Sequence, residues 1–406
     1  MIKISRNKYI GFFLVIIGLL LNHYVLAALF SGDGDIAFHN KIIIFVIQVI
    51  IILIGLLIYF DKFENYKIDK AVEIYLFIFS LLFIVFISEV ALRYIGFSPA
   101  NLYKNIKVYP SKPFFIKDTL LGYKHSPGEF KIVIFGNNDS DSLAFTTEHN
   151  INSQREVIKP SKSGKYLSKG DIWSFGCSFT YGWSINGEDT YTSVLQKKLP
   201  EYQFFNFGCN GYGTIHQLLQ FEKLIKEGEV PRMVLFTYAS FHDERNVFSR
   251  TRRKNVSRWN HLGTLTQPYA RLDSNDELDI SMAEVVYKKW PLIEHSSIVN
   301  LVESSYNAIE YRNINANEVS KKIVLEILKI TKKAKIPVIF AGIYNDKISH
   351  DMVDFIINNG GNAVNIALDL AKNEYNNLPY DGHPSAYANS KFASKLLKPM
   401  KQILSR

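Results

Sequence analysis

The sequence is poor in cysteine, and its two residues, Cys177 and Cys209, cannot make a disulfide scaffold. A single bridge between them stays open beside the simpler reading as small buried side chains. No Gly-rich phosphate loop is present, and the His, Cys, Asp and Glu residues show no metal-ligand spacing. No metal and no cofactor are therefore expected. Acidic residues are in deficit, 38 against 47 Lys and Arg, for a formal charge of +9. These basic residues are scattered and no nucleic-acid motif accompanies them, so nucleic acid is not an expected partner. A solvated surface facing anionic lipid or glycan is the better reading. Internal repeats and low-complexity segments are absent too.

Apolar residues are abundant and unevenly spread. Tyr9 to Phe30 is interrupted only by Asn22 and His23, and Ile42 to Phe60 only by Gln48. Ile74 to Ile87 is apolar except for Ser80, and Ala71 to Gly96 extends it, with Glu73, Glu89 and Arg93 near its ends. Each can cross a hydrocarbon core of about 30 Å as a helix. A cleavable signal would account for the first alone. Residues 1–96 are accordingly expected to be a membrane region of three transmembrane helices. Lys3, Arg6 and Lys8 precede the first span, and Lys62, Lys67 and Lys70 lie between the second and third. The intervening loop holds Asp33 and Asp35 without a basic residue. This asymmetry places the N-terminus in the cytoplasm and everything after about Gly96 outside a bacterial cytoplasmic membrane.

Residues 97–170 read as a linker and a β-hairpin prelude. Phe130 to Phe135 and Leu143 to Thr147 alternate around a Gly-Asn-Asn-Asp turn. From Asp171 short apolar strands (Ile172–Phe175, Tyr202–Phe207, Met233–Ala239, Pro337–Ile343, Ala363–Ile366) alternate with helical patterns (Glu188–Leu199, Ile215–Ile225, Val319–Ala334, Ser385–Leu404). That alternation implies an α/β domain over 171–406, with a central parallel sheet covered on both faces. An insertion at about 248–312 interrupts it.

Two segments carry the chemistry. Trp173 to Thr180 is an apolar run that breaks at Gly176 and presents Ser178. Asp381-Gly382-His383 follows near the end of the chain. A Ser at a strand end, a His to accept its proton and an Asp to orient that His are the parts of a nucleophilic hydrolase.

These blocks resemble those of the SGNH/GDSL hydrolase family over about the last 235 residues. Gly176-Cys177-Ser178 is similar to the Gly-Asp-Ser block, with Cys177 in place of the Asp. Asn206-Phe207-Gly208-Cys209-Asn210-Gly211 is similar to the second block. Asp381-Gly382-His383 is similar to the last, with one intervening residue where many members have two. The resemblance implies a three-layer flavodoxin-like fold and a triad of Ser178, His383 and Asp381. It makes Gly211 an oxyanion donor. The third block departs most. An Asn is usual after the third strand, and here Phe241-His242-Asp243-Glu244-Arg245-Asn246 stands there. Asn246 is the first choice for the side-chain donor and His242 the alternative.

A membrane-anchored serine esterase acting on O-acyl esters is the implied function, with O-acetyl groups on surface glycan as the leading substrate. An acylated glycan or lipid and the bilayer itself are then its partners. The rivals are an O-acyltransferase modifying a surface polysaccharide with a membrane acyl-donor partner, a lipase or lysophospholipase, and a non-catalytic assembly protein. The insertion opens with Arg250, Arg252 and Arg253 and carries Trp259, Tyr269 and Trp290. It is expected either to face an anionic substrate or to be a solvated basic loop.

Overall fold

Long runs of Ile, Leu, Val and Phe leave the N-terminal segments little choice but helix. The computed structural model describes residues 6–30, 38–60, 70–100, 106–136, 141–157, 169–258 and 262–405. Lys3, Asp33, Asp35, Lys62, Lys67, Trp259 and the turn at 137–140 lie outside the described residues. The chain divides into two compact units, residues 1–102 with 289–309, and residues 103–288 with 310–406.

In the first unit, α1 (Arg6–Leu20) and α2 (His23–Phe30) replace the single first span expected from sequence. The break falls at Asn22, whose Oδ1 accepts from the Val25 N–H at 2.9 Å and so caps the second helix. α3 (Phe38–Tyr59) packs on α1 with backbone touching backbone at Gly11 and Gly55. Within α3, Lys41–Tyr59 is the one stretch among the described residues that is both long and apolar enough to cross a membrane. α4 (Lys70–Tyr94) exposes Phe77, Leu82, Phe83 and Phe86 along its length. Near its end Glu89 caps α10 (Ser297–Asn313). It accepts from the Ser297 and Ile298 N–H groups at 2.8 and 3.1 Å and from the Ser296 hydroxyl at 2.9 Å. Arg93 donates to Glu89 and to the His295 carbonyl. α10 in turn exposes Val302, Tyr306 and Ile309, spaced to form one stripe.

The second unit begins with β1 (Ile106–Tyr109), β2 (Phe115–Asp118), β3 (Gly122–His125), β4 (Gly128–Phe135) and β5 (Ser142–His149). β1, β4 and β5 form an antiparallel sheet, and β2 and β3 a separate hairpin. The α/β part follows: β6 (Asp171–Phe175), α5 (Ser178–Tyr181), α6 (Tyr191–Lys198), β7 (Gln203–Asn206), α7 (Thr214–Lys226), β8 (Met233–Tyr238) and α8 (His242–Asn246). The insertion holds α9 (Arg250–Ser257) and a hairpin of β9 (Thr266–Leu272) and β10 (Leu278–Glu284). The chain closes with α11 (Ala316–Ala334), β11 (Val338–Gly342), α12 (Lys347–Asn358), β12 (Ala363–Asn365), β13 (Asn376–Asn377), β14 (Asp381–Pro384) and α13 (Ala386–Leu404).

Five strands form the parallel sheet in the order β12-β11-β8-β6-β7. Counted along the chain this is 2-1-3-4-5, the flavodoxin-like order, whose switch point lies between the first and third strands. Every residue of β8 is buried, as befits a central strand covered on both faces. Tyr191, Leu195, Phe392 and Leu396 of α6 and α13 cover one face. Leu218, Phe221, Ile323, Ile327 and Met352 of α7, α11 and α12 cover the other.

The prelude strands do more than link. Arg155, just after β5, is 1% exposed and has no carboxylate partner among the described residues. Its Nη1 donates to the Tyr181 and Gly182 carbonyls at 2.7 and 2.5 Å, and its Nη2 to the Ile185 carbonyl at 2.7 Å. These carbonyls end α5 and the loop after it, where a cation is favoured. Replacing Arg155 by Met would leave the three carbonyls buried without a donor. A loss of about 3 kcal/mol in unfolding free energy is expected. Urea denaturation of the two proteins in the same detergent measures it, and an equal midpoint would contradict this role.

Candidate active site

Ser178 sits where β6 ends. Cys177 is extended (φ −100°, ψ −154°) and Ser178 opens the one-turn helix α5, which stops at Gly182 in the left-handed region. The turn is tight. A Cβ on Gly176 would lie 1.9 Å from the Thr180 Oγ1 and 2.3 Å from the Thr237 Oγ1, so only Gly fits. Thr180 and Thr237 hydrogen-bond to each other at 2.9 Å, tying α5 to the neighbouring strand β8.

His383 and Asp381 come from β14, a short strand paired with β13. Residues two apart on a strand face the same side, so the single Gly382 between them aligns the pair. Asp381 is 1% exposed and accepts from the His383 N–H at 2.8 Å and from its Nδ1 through the same Oδ1. The other ring nitrogen, Nε2, lies 2.9 Å from the Ser178 Oγ. The three residues singled out in the sequence are thus brought into one chain of hydrogen bonds. Phe179 packs edge-on to His383, and Phe241 and Tyr344 continue an aromatic wall beside it.

Gly211 lies in the turn after β7 at φ +80°, a conformation that favours Gly. The β2–β3 hairpin fixes this turn. The Tyr123 hydroxyl donates to the Asn210 carbonyl at 2.7 Å, and the Tyr212 hydroxyl donates back to the Tyr123 carbonyl at 2.5 Å. Sequence reasoning did not find Tyr123, whose partner lies 87 residues away.

The third block needs correction. Both polar atoms of Asn246 are engaged inside the fold. Its Oδ1 accepts from the Ile215 N–H at 2.9 Å and its Nδ2 donates to Ser320 at 2.8 Å. It caps α7 instead of facing Ser178. His242 is fully buried, with Nδ1 3.4 Å from the Thr214 hydroxyl and Nε2 shut away from solvent without a partner. Burial pushes its pKa well down, with the Arg245 charge adding to the effect. Neither residue presents a donor to an incoming carbonyl.

The three insertion arginines are engaged as well. Arg252 is 3% exposed and donates to Gln267 at 2.6 Å. Arg253 pairs with Glu310 at 2.8 Å. Arg250 donates to the Lys288 carbonyl and stacks over Tyr287. Their charges stitch the insertion together, so the expectation that they face a substrate is not met. A cavity of about 320 Å³ in the insertion, lined by Phe248, Arg253 and Tyr269, includes neither Ser178 nor His383. Both cysteines are free and buried, so the Cys177–Cys209 bridge is not formed. Burial pushes the Cys209 thiol up.

Behind α5 lies a buried pair of imidazoles. His125 stacks on His149 with ring centroids 4.5 Å apart. The Ser126 carbonyl accepts from the His149 Nδ1 at 2.8 Å, which leaves Nε2 to accept from the Tyr181 hydroxyl at 2.9 Å. Burial, aided by Arg155, depresses the His149 pKa to about 4, and His125 is also held well below its ordinary value. In the unfolded chain a His binds its proton near pH 6.5. Between about 6.5 and about 4 the unfolded state therefore holds more protons, so stability falls as the pH falls. Melting temperatures measured from about pH 8 down to about pH 5 should be level at first and then drop. His149→Gln and His125→Phe should each flatten the drop. An unchanged slope in both would sink the assignment.

No family model matches the sequence, and no curated protein does. Solved structures do. A member of the lipolytic protein G-D-S-L family from Veillonella parvula DSM 2008 is 10% identical, over 57% of this chain and 98% of its own, with a TM-score of 0.32. A carbohydrate acetylesterase family member from Sinorhizobium meliloti is 11% identical, over 58% of this chain and 99% of its own, with a TM-score of 0.32. A GDSL-like lipase from Bacteroides thetaiotaomicron VPI-5482 is 12% identical, over 60% and 92%, with a TM-score of 0.31. This chain is thus similar to GDSL-type lipases and acetylesterases.

Proposed function

We propose that this protein is a membrane-anchored serine esterase of the SGNH type that cleaves O-acyl esters. The observation that carries the reading is the Ser178–His383–Asp381 chain of hydrogen bonds, with His383 Nε2 2.9 Å from the Ser178 Oγ. The Ser178 hydroxyl attacks the acyl carbonyl while His383 Nε2 takes its proton. Asp381 holds Nδ1 protonated and stabilises the imidazolium. When the tetrahedral intermediate collapses, the C–O bond to the alcohol breaks and His383 returns the proton to the leaving oxygen. Water, activated by the same His, then attacks the acyl-enzyme and frees Ser178 and the carboxylic acid. Phe179, Phe241 and Tyr344 offer an apolar wall for the acyl group. O-acetyl groups on surface glycan are the substrate we favour.

Ser178→Ala in the full chain, purified in detergent, should lose turnover of nitrophenyl acetate by about 10⁴-fold or more. It should keep the wild-type melting temperature. A fluorophosphonate should label Ser178 in the wild type and nothing in the variant. Labelling of the Ala variant, or of Cys177, would exclude Ser178 as nucleophile. The ratio of acetyl to long-chain ester turnover separates an acetylesterase from a lipase, and acyl transfer to an added sugar would mark a transferase.

The membrane placement rests on Lys41–Tyr59 and on the exposed apolar length of α4, because so much apolar surface is untenable in water. With the three crossings expected from the sequence and Lys8 on the cytoplasmic side, the catalytic residues would lie outside. A phosphatase that matures only in the periplasm, fused after Arg406, should be active. Activity instead from a cytoplasm-only reporter at that position would reverse the orientation.

A further inference from the structure

Arg245 is the residue of the third block that sequence comparison passes over, because an Asn is sought there. It lies on α8, directly after the central strand β8. Its Nη1 donates to the Tyr212 carbonyl at 2.8 Å, the residue next to Gly211. The guanidinium carbon stands 4.4 Å from the centre of the Phe241 ring, the same ring that packs against Phe179. The Cys177 thiol, next in sequence to Ser178, is also an electrostatic neighbour of the guanidinium. Cys177 itself is fully buried. The guanidinium thus holds the carbonyl next to Gly211 and lies over the ring that packs on Phe179, the neighbour of Ser178. No carboxylate pairs with it among the described residues. Of its five donors one goes to the Tyr212 carbonyl and the Cys177 sulfur takes at most another, which leaves donors for a ligand.

We propose that Arg245 is a catalytic residue, the side-chain donor to the oxyanion formed when Ser178 attacks the ester. The inference rests on the esterase reading above and fills the role that Asn246 and His242 cannot. As the Ser178 oxygen bonds to the acyl carbon, the carbonyl π pair moves onto oxygen. Arg245 donates an N–H to that O⁻ beside the Ser178 and Gly211 N–H groups, and no proton changes owner at this site. When the C–O bond to the alcohol breaks, the carbonyl re-forms and the contact weakens. A fixed cation in a site shielded by Phe241 stabilises the developing charge far more than the neutral carbonyl, so its effect falls on turnover and not on substrate binding.

The test uses the full chain in detergent, with nitrophenyl acetate as substrate and phenylboronic acid as a probe. The boronate adduct on Ser178 carries a tetrahedral O⁻. Arg245→Gln should lower kcat by about 10²–10³-fold with KM within about threefold. It should weaken boronate inhibition by a similar factor. Arg245→Lys should keep the melting temperature and still lose about tenfold in kcat. A compact ammonium cannot hold the Tyr212 carbonyl and reach the oxyanion together. Wild-type kcat in either variant overturns the proposal. So does a Gln variant whose kcat falls while its boronate affinity is unchanged. If Gln prevents folding, the Lys variant alone decides by the same two measurements. Ser178→Ala keeps the two inferences apart. Full activity in it defeats the esterase reading itself, whereas an inactive Ser178→Ala beside a fully active Arg245→Gln defeats the Arg245 role alone.

Discussion

Arg155 is a positive charge closed off from water that forms no ion pair among the described residues, with Glu188 and Asp189 acting on it only through the field. Such a charge is tolerable because the backbone carbonyls of Tyr181, Gly182 and Ile185, with that of Thr146 further off, converge on it. Three of those carbonyls close α5, so the condition that makes Arg155 tolerable also fixes the end of the turn that carries Ser178. Its guanidinium lies 4.7 Å from the centre of the Tyr181 ring, and Tyr181 in turn bonds to His149 and Thr147. From one buried cation, a connected set of polar contacts reaches the back of α5. Thr180 and Thr237 tie its front to the central sheet. The position of the Ser178 hydroxyl is set from both sides before any substrate arrives.

Asp381 and His383 need less support because strand geometry does the alignment. Asp381 and His383 alternate on β14 with Gly382 between them pointing outward, and Asp381 holds both the backbone and the ring of His383. The shortened spacing that sets this block apart from the commoner pattern costs nothing in geometry, since two residues is the period of a strand.

What the sequence made legible was whatever repeats locally. The strand at Ile172–Phe175 and the helices with Leu218 or Ile323 on one face are written in apolar spacing, and their observed ends differ from the expected ones by a few residues. Ser178, His383 and Asp381 were legible because their roles demand particular residue types at a strand end or turn. The oxyanion side was not. Asn246 and Arg245 are neighbours on one short helix, and only the register of that helix decides which turns inward to α7 and which lies over Phe241. The bracing by Tyr123 and Arg155 was hidden for another reason, because each bonds to a segment far along the chain. Arg252 read as a substrate-facing or a solvated charge from its basic surroundings, whereas tertiary packing buries it against Gln267. α12 escaped notice although Met352, Val353 and Ile356 are its buried face.

Glu89 receives three hydrogen bonds from Ser296, Ser297 and Ile298, 207 to 209 positions later in the chain. The N-terminal helices therefore hold a piece of sequence that interrupts, in order, the second unit. Cutting the polypeptide after α4 would not release a portable module. It would strip the cap from α10, leave the donors at its start without their carboxylate, and remove the companions of a helix that already exposes Val302, Tyr306 and Ile309. The first compact unit is thus built from two distant pieces of the sequence, and a cut between them divides the unit itself.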